Sequence, residues 1–144
     1  MAKRSTIRGY TLFCDDIRQE IGGKLSIMGL YQTHLHISPG LPAVLPKFSM
    51  YIQFRLFPEE SKEDFSLKVF FETSEDVLLL EQTVPYPEEV AAEPMFEPDS
   101  FHLANLIINL APFEIKEAGR LKVRMYQSGL EYKLGSLVID VATP

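Results

Sequence analysis

FSMYIQFRLF, residues 48–57, alternates apolar and polar side chains with a period of two. On an extended chain successive side chains point to opposite faces, so Phe48, Met50, Ile52, Phe54 and Leu56 fall on one side while Ser49, Gln53 and Arg55 fall on the other. Tyr51 shares the polar side and keeps its hydroxyl in water. This is the pattern of a strand with one face on a core.

The same alternation recurs on either side. In SLKVFFET (66–73) it turns Leu67, Val69 and Phe71 inward, and in RLKVRMY (120–126) it turns Leu121, Val123 and Met125 inward. Further strands are expected at about residues 7–14, 24–37, 77–84, 101–110 and 131–142. Between them lie segments rich in turn formers: SPGLPAVLPK, PEESKED, PYPEEVAAEPMFEPDS and YQSGLEY. No stretch carries an i, i+3, i+4 apolar stripe over the length of an ordinary helix. The expectation is an all-β, single-domain antiparallel β-sandwich of about eight strands over residues 1–144, with a closed or partly open β-barrel as the alternative. No internal repeat or linker divides the chain.

The totals agree with one folded core. Hydrophobic residues make up 46% of the 144 residues and charged residues 24%, which is not the composition of a disordered tail. Fourteen Lys and Arg stand against twenty Asp and Glu, a formal charge of -6. A surplus of negative charge opposes approach to phosphate backbones and anionic lipid, so neither nucleic acid nor membrane is an expected partner. The apolar runs are a few residues long, far short of the roughly 20 needed to cross a bilayer. The start, MAKRSTIRGYTLF, lacks the apolar core of a secretory leader, and the single Cys14 cannot form an internal disulfide. A bacterial cytoplasm is the expected compartment.

One polar cluster interrupts the apolar pattern near the N-terminus, at FCDDIRQEIGGKLSIMGLY (13–31). Gly22-Gly23 suits a tight turn, since glycine accepts positive φ. A two-residue loop there would set Glu20 opposite Leu25 and Arg18 opposite Ile27, which conflicts with burying Leu25 and Ile27. Continuous pairing is therefore expected to fail between Asp15 and Ile21, by a bulge or by one helical turn that brings Ile17 and Ile21 to the same side, with Asp16 capping toward Gln19. Two roles stand for Asp15, Asp16, Arg18 and Glu20. They serve as caps and solvent-facing charge, or a bulge re-aims a carboxylate toward a metal or a partner. Calcium needs about six to eight oxygen ligands, so Glu75-Asp76 or Glu59-Glu60 would have to contribute.

The same stretch, followed by the proline-bearing SPGLPAVLPK, resembles an N-terminal signature of small bacterial proteins classed as a family of unknown function. The resemblance lies in Cys14-Asp15, in Gly23-Lys24-Leu25-Ser26 and in Gly29, within the first third of the chain. It implies a bacterial or phage origin and a compact β fold, and it brings no catalytic residues. Relatives carry one Gly after polar residues where this chain has Gly22-Gly23, which leaves the turn type open.

Elsewhere the chemistry is sparse. His34 and His36 share one face of a strand, as a zinc or copper pair would, but no Cys or acid adjoins them in sequence. They read as exposed strand histidines, which His102 can join only through the fold. Cys14, beside Leu12 in an apolar strand, reads as a small buried hydrophobe rather than a nucleophile. There is no G-x-S-x-G, P-loop, G-x-G-x-x-G or H-E-x-x-H motif, so no catalytic residue and no cofactor is expected. A turn at Ser128-Gly129 would set Arg124 opposite Lys133, with Arg120 and Lys122 on the same outward face. That basic stripe is either a solvated face or a surface that meets acid from the Pro85–Ser100 loop or another subunit.

The Pro85–Ser100 loop holds four prolines and five acids around Met95-Phe96. These two either plug an open end of the sandwich or anchor a partner protein, with Glu93 and Glu97 beside them. The function expected is a non-enzymatic binding or assembly module whose candidate partner-binding residues are Met95, Phe96, Glu93 and Glu97. Exposed strand edges would allow a homo-oligomer. The alternative is a calcium- or zinc-dependent protein, or a small hydrolase, that uses Asp15, Asp16 and Glu20.

Overall fold

A computed structural model describes residues 8–38, 40–57, 62–88 and 101–141. Among these it has eleven strands: β1 Gly9–Gln19, β2 Leu25–Tyr31, β3 His34–Ile37, β4 Ala43–Leu45, β5 Phe48–Leu56, β6 Phe65–Glu72, β7 Asp76–Val84, β8 His102–Leu110, β9 Phe113–Ile115, β10 Gly119–Gln127 and β11 Leu130–Val141. They form a four-stranded sheet in the order β2-β1-β5-β8, a five-stranded sheet in the order β3-β11-β10-β6-β7, and the small pair β4-β9. Pairing is antiparallel throughout, except that β3 runs parallel to β11. The result is an all-β sandwich, and no sheet closes into a barrel.

The alternation of residues 48–57 is realised along β5. Phe48, Met50, Ile52, Phe54 and Leu56 are all essentially inaccessible. Leu67 and Val69 from β6, Leu121, Val123 and Met125 from β10, and Leu134, Leu137 and Ile139 from β11 complete the core from the opposing sheet. Phe71 packs against the same cluster while partly exposed. Cys14 is fully buried, and its thiol donates to the Ser49 carbonyl at 3.5 Å. Burial pushes the thiol above its ordinary range, so little thiolate is available for chemistry.

Three departures from expectation have local causes. The segment 24–37 is two strands, β2 and β3, which break at Gln32-Thr33 and enter different sheets. The three-residue strands β4 and β9 lie inside proline-punctuated segments and find each other across the fold. The β1–β2 hairpin does not lose its pairing: Asp16 faces Met28, Ile17 faces Ile27, Arg18 faces Ser26 and Gln19 faces Leu25. The expected bulge or helical turn is absent because the loop is one residue longer than the glycine pair. Glu20 N–H donates to the Lys24 carbonyl at 2.7 Å, which closes a loop of Ile21, Gly22 and Gly23. An odd loop shifts the register by one and sets Ile17 against Ile27 with no irregularity in the strand. Ile21 is not inward but 95% exposed at the loop tip.

The last hairpin turns at Ser128-Gly129, both at positive φ, and Arg124 does face Lys133. Within this basic stripe, Lys122 meets acid supplied by strands of its own chain. Lys122 Nζ lies 3.0 Å from Glu72 and 3.1 Å from Asp76. These two carboxylates hold its ammonium above the ordinary lysine range.

Candidate functional site

An apolar cleft of about 450 Å³ lies between the β6–β7 hairpin and the short β9 segment. One wall is Phe71, Val77 and Leu79. The other is Leu110, Pro112, Phe113 and Ile115, with Thr73, Glu114, Lys116 and Glu117 around the mouth. A second concavity, about 390 Å³, lies beside β1 and β11, where Thr11, Gln32, Lys133 and Ser136 join Tyr10, Phe13, Leu30 and Tyr31 in its lining.

Register explains how the first wall is built. Phe71 faces Val77 and Phe70 faces Leu78, but Val69 faces Leu80, so Leu79 is an extra residue in β7. A bulge of this kind bends its strand and re-aims a side chain. Here it leaves Leu79 on the cleft wall with Val77. The opposite wall is rigid: β9 pairs with β4, and Phe113 packs its ring 5.1 Å from that of Phe48 in the core.

β7 is also the outer strand of the five-stranded sheet, and among the described residues it pairs only with β6. Val77, Leu78 and Leu79 are consecutive and exposed by 47%, 46% and 39%. An edge strand presents unpaired N–H and C=O groups, and natural sheets usually guard such edges with charge or proline. Asp76 and Glu81 flank this edge, Asp76 bound to Lys122 and Glu81 lying 4.0 Å from Lys68. Among the described residues no strand covers the apolar run between them.

The polar cluster near the N-terminus is divided among separate contacts. Asp15 and Asp16 point to opposite faces of β1. Asp15 Oδ1 accepts the Tyr31 hydroxyl. Burial first, and that bond second, raise the Tyr31 phenol well above its usual range. Asp16 accepts from Lys47 Nζ at 2.5 Å and from the Ile17 N–H at 2.9 Å, and Arg18 Nε stands 3.8 Å away. The Lys47 bond holds the Asp16 carboxyl below the usual carboxylate range. Glu20 sits at the loop. Among the described residues no group of three or more His, Cys, Asp or Glu side chains is placed to hold a metal ion. Glu59 and Glu60, and the loop residues Glu93, Met95, Phe96 and Glu97, lie outside the described residues.

His34 and His36 do share one face of β3, their rings stacked 5.5 Å apart. The parallel pairing of β3 with β11 brings Asp140 beside His36, a neighbour 104 residues away that sequence spacing could not reveal. His102 begins β8 in the other sheet and does not join them.

Comparison with known proteins gives one match. A family model described as a family of unknown function (DUF6941) matches residues 9–140, from the first residue of β1 to the penultimate residue of β11. No curated protein and no solved structure matches the chain.

Proposed function

The chain belongs to that family, and from this premise we propose that it is a non-enzymatic binding module that takes an extended, apolar segment of a partner protein along the edge of β7. The observation that carries the proposal is the uncovered run Val77-Leu78-Leu79 on an edge strand beside an apolar cleft. A segment added antiparallel or parallel to β7 would pair its backbone with the free N–H and C=O groups, which supplies affinity independent of sequence. Its side chains would alternate, one set entering the cleft against Val77, Leu79 and Phe71, the other lying over Leu78 and Phe70. The cleft supplies the selectivity. Glu114 and Glu117 outnumber Lys116 around it, so a segment with basic flanks is favoured over an acidic one.

Panning a random peptide display library on the full chain tests this. The expected recovery is peptides with apolar residues at alternate positions and Lys or Arg at their ends. Leu79→Asp puts a charge on the cleft wall and should weaken the recovered peptides at least tenfold, about 1.4 kcal/mol. Because Leu79 is already partly exposed, the same change should alter the unfolding free energy by no more than about 1 kcal/mol. Peptides that bind the Leu79→Asp protein as tightly as the original would remove the cleft from the account.

A further inference from the structure

We infer that His34 and His36 form a two-nitrogen site for a borderline divalent transition-metal ion, of the class Cu2+, Ni2+ and Zn2+, on the outer face of the edge strand β3. Two residues apart on a strand, both imidazoles leave the sheet on one side. Their rings are nearly parallel, at 8° and with centroids 5.5 Å apart. Each ring is held from the same end. His36 Nδ1 lies 2.5 Å from Asp140 Oδ1, on the neighbouring strand β11. His34 Nδ1 lies 2.9 Å from Thr33 Oγ1.

The Asp140 contact decides the tautomer of His36. A carboxylate can only accept, so the proton sits on Nδ1 and the lone pair of the neutral ring is left on Nε2. A carboxylate that orients a histidine through its other ring nitrogen is the recurring support of metal-binding imidazoles. Thr33 can accept the Nδ1 proton of His34 in the same way, which leaves its Nε2 free as well. Among the described residues neither Nε2 has a hydrogen-bond partner.

The ion class follows from the donors. Imidazole nitrogen suits copper, nickel and zinc, whereas calcium and magnesium need oxygen ligands. Asp140 is occupied on the far side of His36, so the described residues offer two donors here and no grouping of three. At least two further positions of the ion stay with water or with a donor from outside, which makes an exchangeable site rather than a structural one. To share one ion the rings must tilt toward each other from their stacked arrangement. His36 has the freedom to do so, with its side chain 60% exposed.

Calorimetric titration of the full chain with Cu2+, and separately with Zn2+, tests the inference. One ion per chain is expected. His34→Ala and His36→Ala should each weaken binding at least tenfold, Asp140→Asn about tenfold, and His102→Ala not at all. Ca2+ should give no binding. All three histidines tested are surface or strand-end positions, and circular dichroism of each variant separates loss of the site from loss of the fold. An affinity left unchanged by His34→Ala or by His36→Ala, or lowered equally by His102→Ala, overturns the inference.

Discussion

Replacing Phe54 by alanine is expected to lower the unfolding free energy by about 3–5 kcal/mol, while the same change at its neighbour Gln53 stays within about 0.5 kcal/mol. Phe54 is essentially inaccessible in the C-terminal half of β5. Its ring meets Phe65 edge-on at 4.9 Å and Tyr132 at 5.8 Å. Truncation leaves a cavity that these rigid neighbours cannot fill, because β5 is paired on both sides and cannot collapse inward. A second loss accompanies it. The Arg8 guanidinium lies 4.9 Å from the Phe54 ring, 4.9 Å from Phe57 and 4.7 Å from Tyr132, and it also donates to the Arg55 carbonyl. Removing one of three aromatic faces weakens a buried cation's surroundings. Gln53 reaches only Asn105 on the outer face, at 3.2 Å. Urea unfolding of both variants measures the contrast. For a domain with a total stability of about 5–15 kcal/mol, the Phe54 change removes a large share. Equal losses at the two positions would mean that the faces of β5 have been misassigned.

Gly29→Ala is expected to cost about 2–3 kcal/mol, and to cost less when Asp15 is also alanine. Gly29 has φ of 69°, in the left-handed region where a side chain costs roughly 1–2 kcal/mol. A Cβ at this position would collide with Asp15 Oδ2 and lie 2.7 Å from Asp15 Cγ. The carboxylate must then swing away and release the Tyr31 hydroxyl, a bond worth about 1 kcal/mol. Asp15→Ala loses that bond once, and Gly29→Ala added to it pays only the backbone term. The double-mutant cycle should therefore show a coupling of about 1 kcal/mol, measured by denaturant unfolding of the four proteins. Strict additivity would show that Asp15 does not lie across Gly29. The same geometry gives Asp15 a place in the hairpin, where it closes over a glycine and accepts from Tyr31.

What was legible in the sequence depended on whether the informative neighbour was local. The inward set of β5, the inward set of β10 and the Ser128-Gly129 turn could all be read, because period-two alternation and turn chemistry are properties of adjacent residues. Alternation says which face a side chain takes but not which sheet its strand enters. For that reason Tyr31 and His34 look like one strand, yet the chain changes sheets between them. The β1–β2 register hinged on a single loop residue, Ile21, whose apolar character suggested burial although it stands in solvent. β4 and β9 were hidden because three residues carry no period of their own, and their pairing spans about 70 residues of chain.

The candidate site was less legible than the fold. VLLL at 77–80 falls in the strand expected at about 77–84, but a continuous apolar run carries no alternation to say which side is exposed. Its place at the edge of the sheet follows from β10 and β11 occupying the far side of β6, a fact of topology with no local signature. The bulge at Leu79 likewise depends on its partner strand. Asp140 beside His36 is a third case, where a carboxylate that lends the imidazole its tautomer comes from the other end of the chain.

Amide hydrogen exchange along β7 tests the central claim most directly. The full chain is compared alone and with the tightest library peptide at saturation. If an extended segment adds to this edge, the amides of Asp76 to Glu81 that face outward should exchange at least tenfold more slowly with peptide, while those of the outer strands β2, β8 and β3 stay as they were. Protection that appears on β2, β8 or β3 instead, or an unchanged β7 with peptide bound, would contradict it.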